Sequence, residues 1–393
     1  MAPPLIDVVI AAHNEASYLE KCVEALHQQS YGAGQLSIYV VDSNSTDATA
    51  EIARSCGAIV LEERAPGAAA ARNRGIRAGR GELIALLDAH CIPDVHWVTR
   101  MVERFADRRL GGCQGHIDNR AVDARIQRYL SSSGALANER VLEDTVAGKR
   151  NLYPWILSGN SMYRRRAIEE AGLFNERLTA CEDVDLAWRV FLLGYQLAYE
   201  PAATVVHYDL NTWHGFVAKG RKYGAAAATI AQAYRAHGAW NKFAPPQLWT
   251  RSAERMLVVG YYWLGYHAQR LKLRLNLAAP LEPQTPCSVR EEFRPAWRWV
   301  HGLSMRIDPN VLFWFRDDEH TSVIVNPATR TRIVLESVAD VIWRALVDGV
   351  PRDALIATIG AAYNVSSATA TADLDEFVEE LVAAGVVHID RPA

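Results

Sequence analysis

The sequence LIALLDAH occupies residues 83–90 and joins five consecutive apolar residues to an acid and a histidine. A short apolar run that stops at polar residues is typical of a strand buried on both faces of a sheet. Similar runs and amphipathic segments alternate toward the N-terminus. The runs occupy residues 5–11, 37–41, 58–61 and 83–87, and the amphipathic segments occupy residues 16–28, 47–56 and 68–78. This alternation predicts an α/β fold, a Rossmann-like and mostly parallel sheet with helices on both faces.

Polar side chains are concentrated where three of the predicted strands end. The residues at these points are Ala12, His13, Asn14 and Glu15 after the first strand, Asp42 after the second, and Asp88 and His90 after the fourth. Parallel α/β sheets bind their ligands beyond the carboxyl ends of the strands. We therefore expect the functional site at this edge of the sheet.

Asp88 and His90 lie two residues apart on a predicted turn, so both side chains can reach one cation. One oxygen and one nitrogen ligand favour Mn²⁺ over Mg²⁺, because imidazole suits softer ions. The pattern also fits a solvated turn acid beside an unrelated histidine. His207 follows the apolar residues 204–206 and is either a further ligand or a hydrogen-bonded side chain.

Two more side chains are candidates for the same crevice. Asp42 ends the second predicted strand and can accept hydrogen bonds from a base or a ribose. Arg72 either reaches the pocket or lies on a solvated helix face. Part of the polar string after Asp42 is structural, because Ser45 or Thr46 can cap the helix that begins near residue 47.

Glu182, Asp183 and Asp185 fall in the first turn of another predicted helix. The helix dipole favours negative charge at that end, which explains one acid on structural grounds. Three acids exceed what capping needs. An ionised carboxylate held in this position is also a competent general base.

Composition excludes several classes of protein. Half of the 393 residues are hydrophobic and 22% are charged, so the chain can bury a sizeable core and is not mainly disordered. The formal net charge of −3 disfavours a protein that depends on phosphate contacts with nucleic acid. The six cysteines form no C-x-x-C pair and are interpreted as reduced thiols.

The first residues lack the basic start and apolar stretch of a signal peptide. The longest apolar run, residues 256–266, is shorter than the roughly 20 residues that span a bilayer. Its aromatic residues and the following Arg270, Lys272 and Arg274 fit weak contact with a membrane surface. A core helix with a basic end is the interpretation we favour. Together these features predict a cytoplasmic protein without a transmembrane anchor.

The C-terminal part of the chain has a different character. Residues 278–309 contain five prolines and are interpreted as a connector. Residues 310–393 carry thirteen Asp and Glu against six Arg and no Lys, a formal charge of −7. Their pattern predicts strands at 312–315, 322–326 and 330–335, followed by helices at 338–347, 352–363 and 370–384. These elements indicate a small winged-helix-like α+β domain.

Residues 5–224 resemble the family 2 glycosyltransferases of the GT-A fold, the nucleotide-sugar transferases with an Asp-x-Asp metal motif. Seven motifs occur in the family's order. They are IAAHNE at 10–15, VVDSNSTD at 40–47, ARNRG at 71–75, DAH at 88–90, SGNSMYRR at 158–165, GLFNE at 172–176 and EDVDLAWR at 182–189. In this chain His90 replaces the usual second Asp of the metal motif, as in the polypeptide GalNAc-transferases, and Ser43 replaces the second acid of the V-V-D-D motif.

The resemblance implies a role for each matching residue. Asp88 and His90, with His207 as a third ligand, would bind Mn²⁺ or Mg²⁺, and Asp183 with Glu182 would act on the acceptor. The residues implied in binding the nucleotide sugar, for which UDP is the commonest nucleotide in the family, are Ala12, His13, Asn14, Glu15, Asp42, Arg72, Asp88, Gly159 and Asn160. Candidates for acceptor contact are Tyr153, Trp155 and Trp188, and burial in the core is the alternative for these aromatic residues. The implied reaction is a single displacement with inversion.

Residues 310–393 resemble the PqqD-like domains that recognise the leader peptides of ribosomally made precursors. The likeness rests on apolar spacing at residues 322–326, 333–343 and 374–387. Such domains bind an extended peptide as an added strand. A DNA-binding winged helix is the alternative, and the charge of −7 argues against it.

The two resemblances together predict a transferase domain at residues 1–225, a helical extension and connector at 226–309, and a peptide-binding domain at 310–393. The expected activity is transfer of a sugar to a Ser, Thr or Cys side chain of a captured precursor peptide. A transferase of polysaccharide or small-glycan synthesis is one alternative. A peptide-binding adaptor with an inactive transferase domain is another.

Overall fold

The computed structural model describes most of the chain. The described residues are 3–32, 34–108, 110–133, 156–193, 195–209, 211–233, 253–281, 297–298, 304–308, 311–316, 321–326, 331–347 and 350–390. Tyr153 and Trp155 lie outside these ranges, as does much of the proline-rich connector.

Within the described residues, one sheet of eight strands organises the N-terminal domain, in the order β3-β2-β1-β4-β7-β6-β8-β5. The strands are β1 Ile6–Ala12, β2 Leu36–Asp42, β3 Ile59–Glu62, β4 Leu83–Asp88, β5 Cys91–Pro93, β6 Leu110–Ala121, β7 Asn160–Arg164 and β8 Gln196–Asp209. Strands β3, β2, β1 and β4 are parallel, which confirms the alternation predicted from sequence. The other half is mixed, because β7 runs antiparallel to both β4 and β6.

Helices cover both faces of this sheet, as predicted. The helices of the domain are α1 Leu19–His27, α2 Thr49–Ser55, α3 Ala68–Ala78, α4 Trp97–Arg104, α5 Ala124–Ser133, α6 Arg165–Glu170 and α7 Glu182–Leu192. On one face Val8 and Ile10 of β1 join a core with α1, α2 and α4. On the other face Val9 joins a core with α3, α6 and α7. Burial on both faces explains why β1 is apolar at consecutive positions.

Two long helices follow the sheet, α8 at Trp213–Ala233 and α9 at Ala253–Arg274. They pack against each other through glycines. A Cβ at Gly224 would collide with the carbonyl oxygen of Tyr262, and one at Gly265 would collide with that of Arg221. The domain boundary predicted at residue 225 falls inside α8. Among the described helices, none is long and apolar enough to cross a bilayer.

The C-terminal unit contains the elements predicted for it. They are β11 Leu312–Arg316, β12 Thr321–Asn326, β13 Thr331–Glu336, α10 Ser337–Val347, α11 Arg352–Tyr363 and α12 Ser367–Ala383. The strands form an antiparallel sheet in chain order. Its core includes the fully buried Trp343 and Leu374. The small α+β fold expected from the apolar spacing is therefore present.

The predicted start of the C-terminal domain at residue 310 lies after two short strands of the same unit. The short strands β9 Trp297–Arg298 and β10 Ser304–Ile307 precede that position, and β14 Val387–Asp390 follows α12. Strand β10 pairs antiparallel with β14, and the Asp308 amide donates to the carbonyl of Val386 at 2.8 Å. The unit therefore begins at or before residue 304. The proline content of residues 278–309 predicted a connector and did not indicate strand β10.

A buried ion pair fixes helix α7. Asp185 and Arg189 lie one turn apart, both fully buried, with an N–O distance of 2.7 Å. Arg189 also donates to the carbonyl oxygen of Ala171, which ties α7 to the end of α6. Asp185, the third acid of the group Glu182, Asp183 and Asp185, therefore has a structural task, because a buried guanidinium needs a paired charge.

We predict that Asp185→Ala lowers the free energy of unfolding by about 3–5 kcal/mol, because it leaves Arg189 charged and buried without its partner. The matched control is Asp118→Ala, since Asp118 pairs with Arg120 at the same 2.7 Å on the surface. That exposed pair should contribute no more than about 1 kcal/mol. Urea denaturation measures both values, and equal losses in the two variants would contradict the prediction.

Candidate active site

The sheet order brings the predicted strand ends together. Ala12 pairs with Asp42, and Ala11 pairs with Asp88, so β2, β1 and β4 end at one edge. Helix α7 begins near the same edge, because Arg72 of α3 contacts both Asp88 and Glu182. Residues far apart in the sequence thus form one cluster.

Asp88, His90 and His207 form a group that fits a divalent cation. One ligand atom from each residue lies within 4.8 Å of the others. The turn after β4 leads directly into β5, whose Cys91 pairs with His207 of β8. The Tyr208 amide also donates to the carbonyl of His90 at 3.1 Å. Strand pairing therefore places His207 beside the Asp-x-His turn. The position of His207 in the sequence left this contact open.

The two imidazoles are arranged as ligands of one ion would be. Their Nε2 atoms lie 3.1 Å apart. Two ligand atoms at right angles on a cation, each about 2.1 Å from it, are about 3.0 Å apart. On its other side, His90 Nδ1 lies 3.1 and 3.2 Å from the carboxylate oxygens of Glu15. A carboxylate that holds Nδ1–H leaves Nε2 unprotonated and available to a metal. One oxygen and two nitrogens suit Mn²⁺.

Arg72 lies between the metal-ligand group and the start of helix α7. Its guanidinium donates to Glu182 Oε1 at 2.7 Å and to Asp88 Oδ1 at 3.2 Å. It is only 7% exposed, so the solvated helix face considered from sequence does not apply. Burial alone would raise the pKa of Asp88, but Arg72 and then the two histidines outweigh it and lower that pKa.

Among the described residues, Asp183 is the acid of α7 that forms no salt bridge, although Arg72 attracts its charge. Its carboxylate accepts hydrogen bonds from the amides of Val184 at 2.8 Å and Ser158 at 3.3 Å. Burial, and then repulsion by Glu182, raises the pKa of Asp183 to about 7. A carboxyl group with this pKa accepts a proton more readily than an ordinary aspartate while still being ionised near neutral pH.

Gly159 leaves room for the Asp88 side chain. A Cβ at this position would lie 2.8 Å from Asp88 Oδ2, closer than a Cβ contact allows. Gly159 itself lies just before β7, the antiparallel neighbour of β4. The sequence-based assignment of Gly159 to the donor site thus acquires a physical reason, although donor contact itself stays a prediction.

Asp42 has a buried acceptor atom. Its Oδ1 is inaccessible to solvent and has no hydrogen-bond partner among the described residues. A buried acceptor without a donor is costly. The position at the end of β2 is where a base or ribose was expected, and either would supply donors.

The loop after β1 is braced by its own polar residues. Asn14 adopts a left-handed conformation with φ of 57°. Its Oδ1 accepts from the Thr46 amide at 2.8 Å, and its own amide donates to Ser45 Oγ at 2.9 Å. The expected capping role of Ser45 or Thr46 is wrong, because both contact Asn14, and Asp47 accepts from the amide of Thr49 at the helix start.

The neighbours of Asn14 also have defined contacts. His13 Nδ1 lies 2.7 Å from the carbonyl oxygen of Ser43. Ala12 is 2% exposed, and its carbonyl accepts from the Ser43 amide. The side chain of Ala12 therefore lies in the core and has no access to a ligand. Nucleotide contacts of His13 and Asn14 stay predictions. The Glu15 carboxylate lies within hydrogen-bond distance of His90 Nδ1.

Asn160 and Trp188 require correction. Asn160 is fully buried, donates to the carbonyls of His116 and Ala203, and accepts from Trp97 Nε1. Its amide is saturated within the domain and cannot contact a donor. Trp188 is 2% exposed and packs in a core cluster with residues of α8. It is a core residue, so it is unsuited to acceptor contact.

Sequence reasoning missed Tyr223 of helix α8. Although the residue as a whole is 45% exposed, partial desolvation of its phenol raises the pKa of Tyr223, and negative charge on Cys181, Asp183, Glu182 and Asp88 raises it further. The Cys181 thiol also contacts the carbonyl oxygen of Tyr223 at 3.9 Å. No motif marks this residue, because it reaches the site only through the fold.

Comparison with known families agrees with the architecture. Residues 7–172 match the model of glycosyl transferase family 2, and residues 321–387 match that of coenzyme PQQ synthesis protein D (PqqD). These two segments are the ones in which the sequence motifs predicted a family 2 glycosyltransferase part and a PqqD-like part. The α/β sheet with helices on both faces is the fold expected of such a transferase domain.

Individual relatives were also found among characterised proteins. The chain is 30% identical to glycosyltransferase AglE of Haloferax volcanii over 206 residues, 50% of this chain and 64% of the relative. It is 28% identical to the pre-mycofactocin glycosyltransferase of Mycobacterium tuberculosis over 238 residues, 58% of this chain and 47% of the relative. The chain therefore spans about half to two thirds of the length of these relatives.

Solved structures are more distant. The mannosyltransferase PcManGT from Pyrobaculum calidifontis, in complex with GDP-Man and Mn²⁺, is 20% identical with a TM-score of 0.48 and covers 72% of this chain and 78% of its own. S. aureus TarS 1–349 in complex with UDP is 13% identical with a TM-score of 0.41, covering 69% and 92%.

We predict that Gly159→Ala weakens Mn²⁺ binding by at least about tenfold, because the new Cβ displaces the Asp88 carboxylate. Calorimetric titration with MnCl₂ measures the affinity. Gly32→Ala is the control, since its Cβ would make an ordinary 3.5 Å contact with Gln35. An unchanged affinity in Gly159→Ala would show that Asp88 is not a ligand.

Proposed function

We propose that this chain is a metal-dependent inverting glycosyltransferase that moves a sugar from a nucleoside diphosphate sugar to a side chain of a peptide. The observation that carries the proposal is the group of Asp88, His90 and His207, which Arg72 joins to Glu182, the chain neighbour of Asp183. A cation-binding group and a buried base at one strand edge are the two parts that such a transfer needs.

The donor half of the site is supported by charge and by an unpaired acceptor. Mn²⁺ or Mg²⁺ bound by Asp88, His90 and His207 would offset the negative charge of a diphosphate. Asp42 offers its buried Oδ1 to an N–H or O–H donor of the nucleotide. We propose UDP as the nucleotide, because uracil presents an N–H donor and UDP sugars are the usual donors of the family.

The acceptor half centres on Asp183. Its carboxylate takes the proton of the attacking hydroxyl or thiol, while the amides of Val184 and Ser158 hold it in place. Arg72 holds Glu182 on one side and Asp88 on the other, so it positions the base relative to the cation-binding group. Attack by the acceptor from the face opposite the departing diphosphate is a single displacement and inverts the anomeric configuration.

The peptide acceptor rests on the C-terminal unit. The match of residues 321–387 to the PqqD family supports peptide recognition, and sheet β11-β12-β13 ends in strands that a peptide can extend. The names of relatives differ in their acceptors, since one is a pre-mycofactocin glycosyltransferase and another a beta-monoglucosyldiacylglycerol synthase. The transferase domain alone therefore does not define the acceptor.

The proposal is tested by incubating the full chain with UDP sugars, Mn²⁺ and candidate precursor peptides, followed by intact-mass analysis. A gain of one sugar mass that disappears with a chelator supports it. Donor hydrolysis without peptide modification would favour a glycan or small-molecule acceptor. Absence of any donor turnover would favour a peptide-binding adaptor.

We predict that a chain ending at residue 303 keeps Mn²⁺-dependent donor hydrolysis and loses peptide modification by at least about tenfold. The truncation removes β10 together with β14, and it leaves only the two-residue strand β9 without its described partner. Donor hydrolysis serves as the internal control for folding of the transferase domain. Equal peptide modification by both chains would exclude the C-terminal unit as the docking site.

We predict that kcat/KM for a peptide with an acceptor Ser rises with pH through about 7 and then levels off. Asp183, whose pKa is raised to about 7, is protonated below that pH and cannot accept a proton. Asp183→Asn should remove this pH dependence and lower kcat by about 10²–10⁴.

The same substitution should affect a Cys acceptor less than a Ser acceptor, because a thiol with a pKa of about 8.5 needs less help from a base. Asp118→Asn, at an exposed site, is the control and should leave the profile unchanged. A wild-type pH profile in Asp183→Asn, or equal losses with Ser and Cys versions of one peptide, would contradict the role of Asp183.

A further inference from the structure

Helix α9 has an apolar stripe on its exposed face. The stripe consists of Leu257, Tyr261, Leu264, Leu271 and Leu275, the last just beyond the helix end, which are between 38% and 62% exposed. Leu257, Leu264 and Leu271 are seven residues apart, so they lie along one line of the helix. Contiguous exposed apolar surface of this kind marks an interaction site. The sequence-based preference for a core helix is therefore only half right.

The opposite face of α9 is fixed in place. Val259, Tyr266 and Leu273 are at most 5% exposed. The glycine contacts described above hold α9 against α8, because Gly265 meets the backbone of Arg221 and Gly224 meets that of Tyr262. Rotation of α9 to bury the stripe would break this contact. The stripe therefore faces outward as a built feature of the helix pair.

The helix pair carries strong positive charge although the chain as a whole has a formal charge of −3. Helices α8 and α9 together hold seven Lys and Arg and one acid. The basic residues are Lys219, Arg221, Lys222, Arg255, Arg270, Lys272 and Arg274. The acid, Glu254, already pairs with Arg128. Of these, Lys272 and Arg274 lie between Leu271 and Leu275 of the stripe. An apolar stripe with cations beside it is complementary to a surface with anionic head groups over apolar chains.

We propose that the exposed stripe of α9 docks this protein on an anionic lipid surface, with the helix lying in the plane of the interface. At 22 residues α9 is about 33 Å long, which is enough to place Leu257, Leu264 and Leu271 together in the head-group region. Parallel pairing with a second copy is disfavoured, because it would bring Lys272 and Arg274 of both copies together.

The test is cosedimentation of the full chain with vesicles of phosphatidylcholine alone and of an equimolar mixture with phosphatidylglycerol. We expect binding to the mixed vesicles, weakening as salt is raised because the cations are screened. Leu264→Gln/Leu271→Gln should lower the partition coefficient at least about tenfold. Lys272→Glu/Arg274→Glu should lower it by a similar factor.

The matched control is Leu5→Gln/Val122→Gln, which makes two apolar-to-polar changes at exposed positions outside the stripe and should leave binding unchanged. Thermal melts show whether each variant is folded, and the salt dependence of the wild-type chain gives a reading that needs no variant. Absence of binding to mixed vesicles overturns the proposal. Concentration-dependent dimers lost in Leu264→Gln/Leu271→Gln would assign the stripe to a second copy instead.

Discussion

The buried guanidinium of Arg72 is the contact on which the site depends. It joins Asp88, at the end of a parallel strand, to Glu182, at the start of a helix more than ninety residues later. Charges in a protein interior interact strongly, and removing one partner leaves the others uncompensated. The positions of the cation-binding group and of Asp183 are therefore not independent, since one buried cation holds both halves of the crevice.

The three acids at the start of α7 show how one short string divides its tasks. Asp185 pairs with Arg189 in the core, and Glu182 pairs with Arg72 at the crevice. Asp183 remains between them, held by backbone amides and close to an acid neighbour. Residues 182–185 thus raise the pKa of Asp183, because Glu182 is held close to it by Arg72 while Asp185 pairs in the core. A single acid at a helix start would lack both the burial and the repulsion.

The apolar pattern of the sequence predicted the elements whose burial depends on neighbouring residues in the chain. The alternation of residues 5–88 gave the parallel strands within one or two residues, because burial on both faces leaves a clear apolar run. Asp88, His90 and Asp183 were identified from their positions at strand and helix ends. The contacts of Asn160, Glu15 and Tyr223 were not predicted from sequence, because each depends on a partner from another element. The same limit applied to the pairing of β10 with β14, because the two strands are about eighty residues apart in the sequence.

The pairing of β10 with β14 also sets an order of assembly. The eight strands of the large sheet lie within residues 6–209, so that domain can close while the rest of the chain is still being made. The C-terminal unit cannot, because its β10 waits for a strand that follows three helices. The N-terminal domain on the ribosome would therefore be folded before the C-terminal unit is complete, and its crevice would be formed before the sheet of β10 and β14 exists.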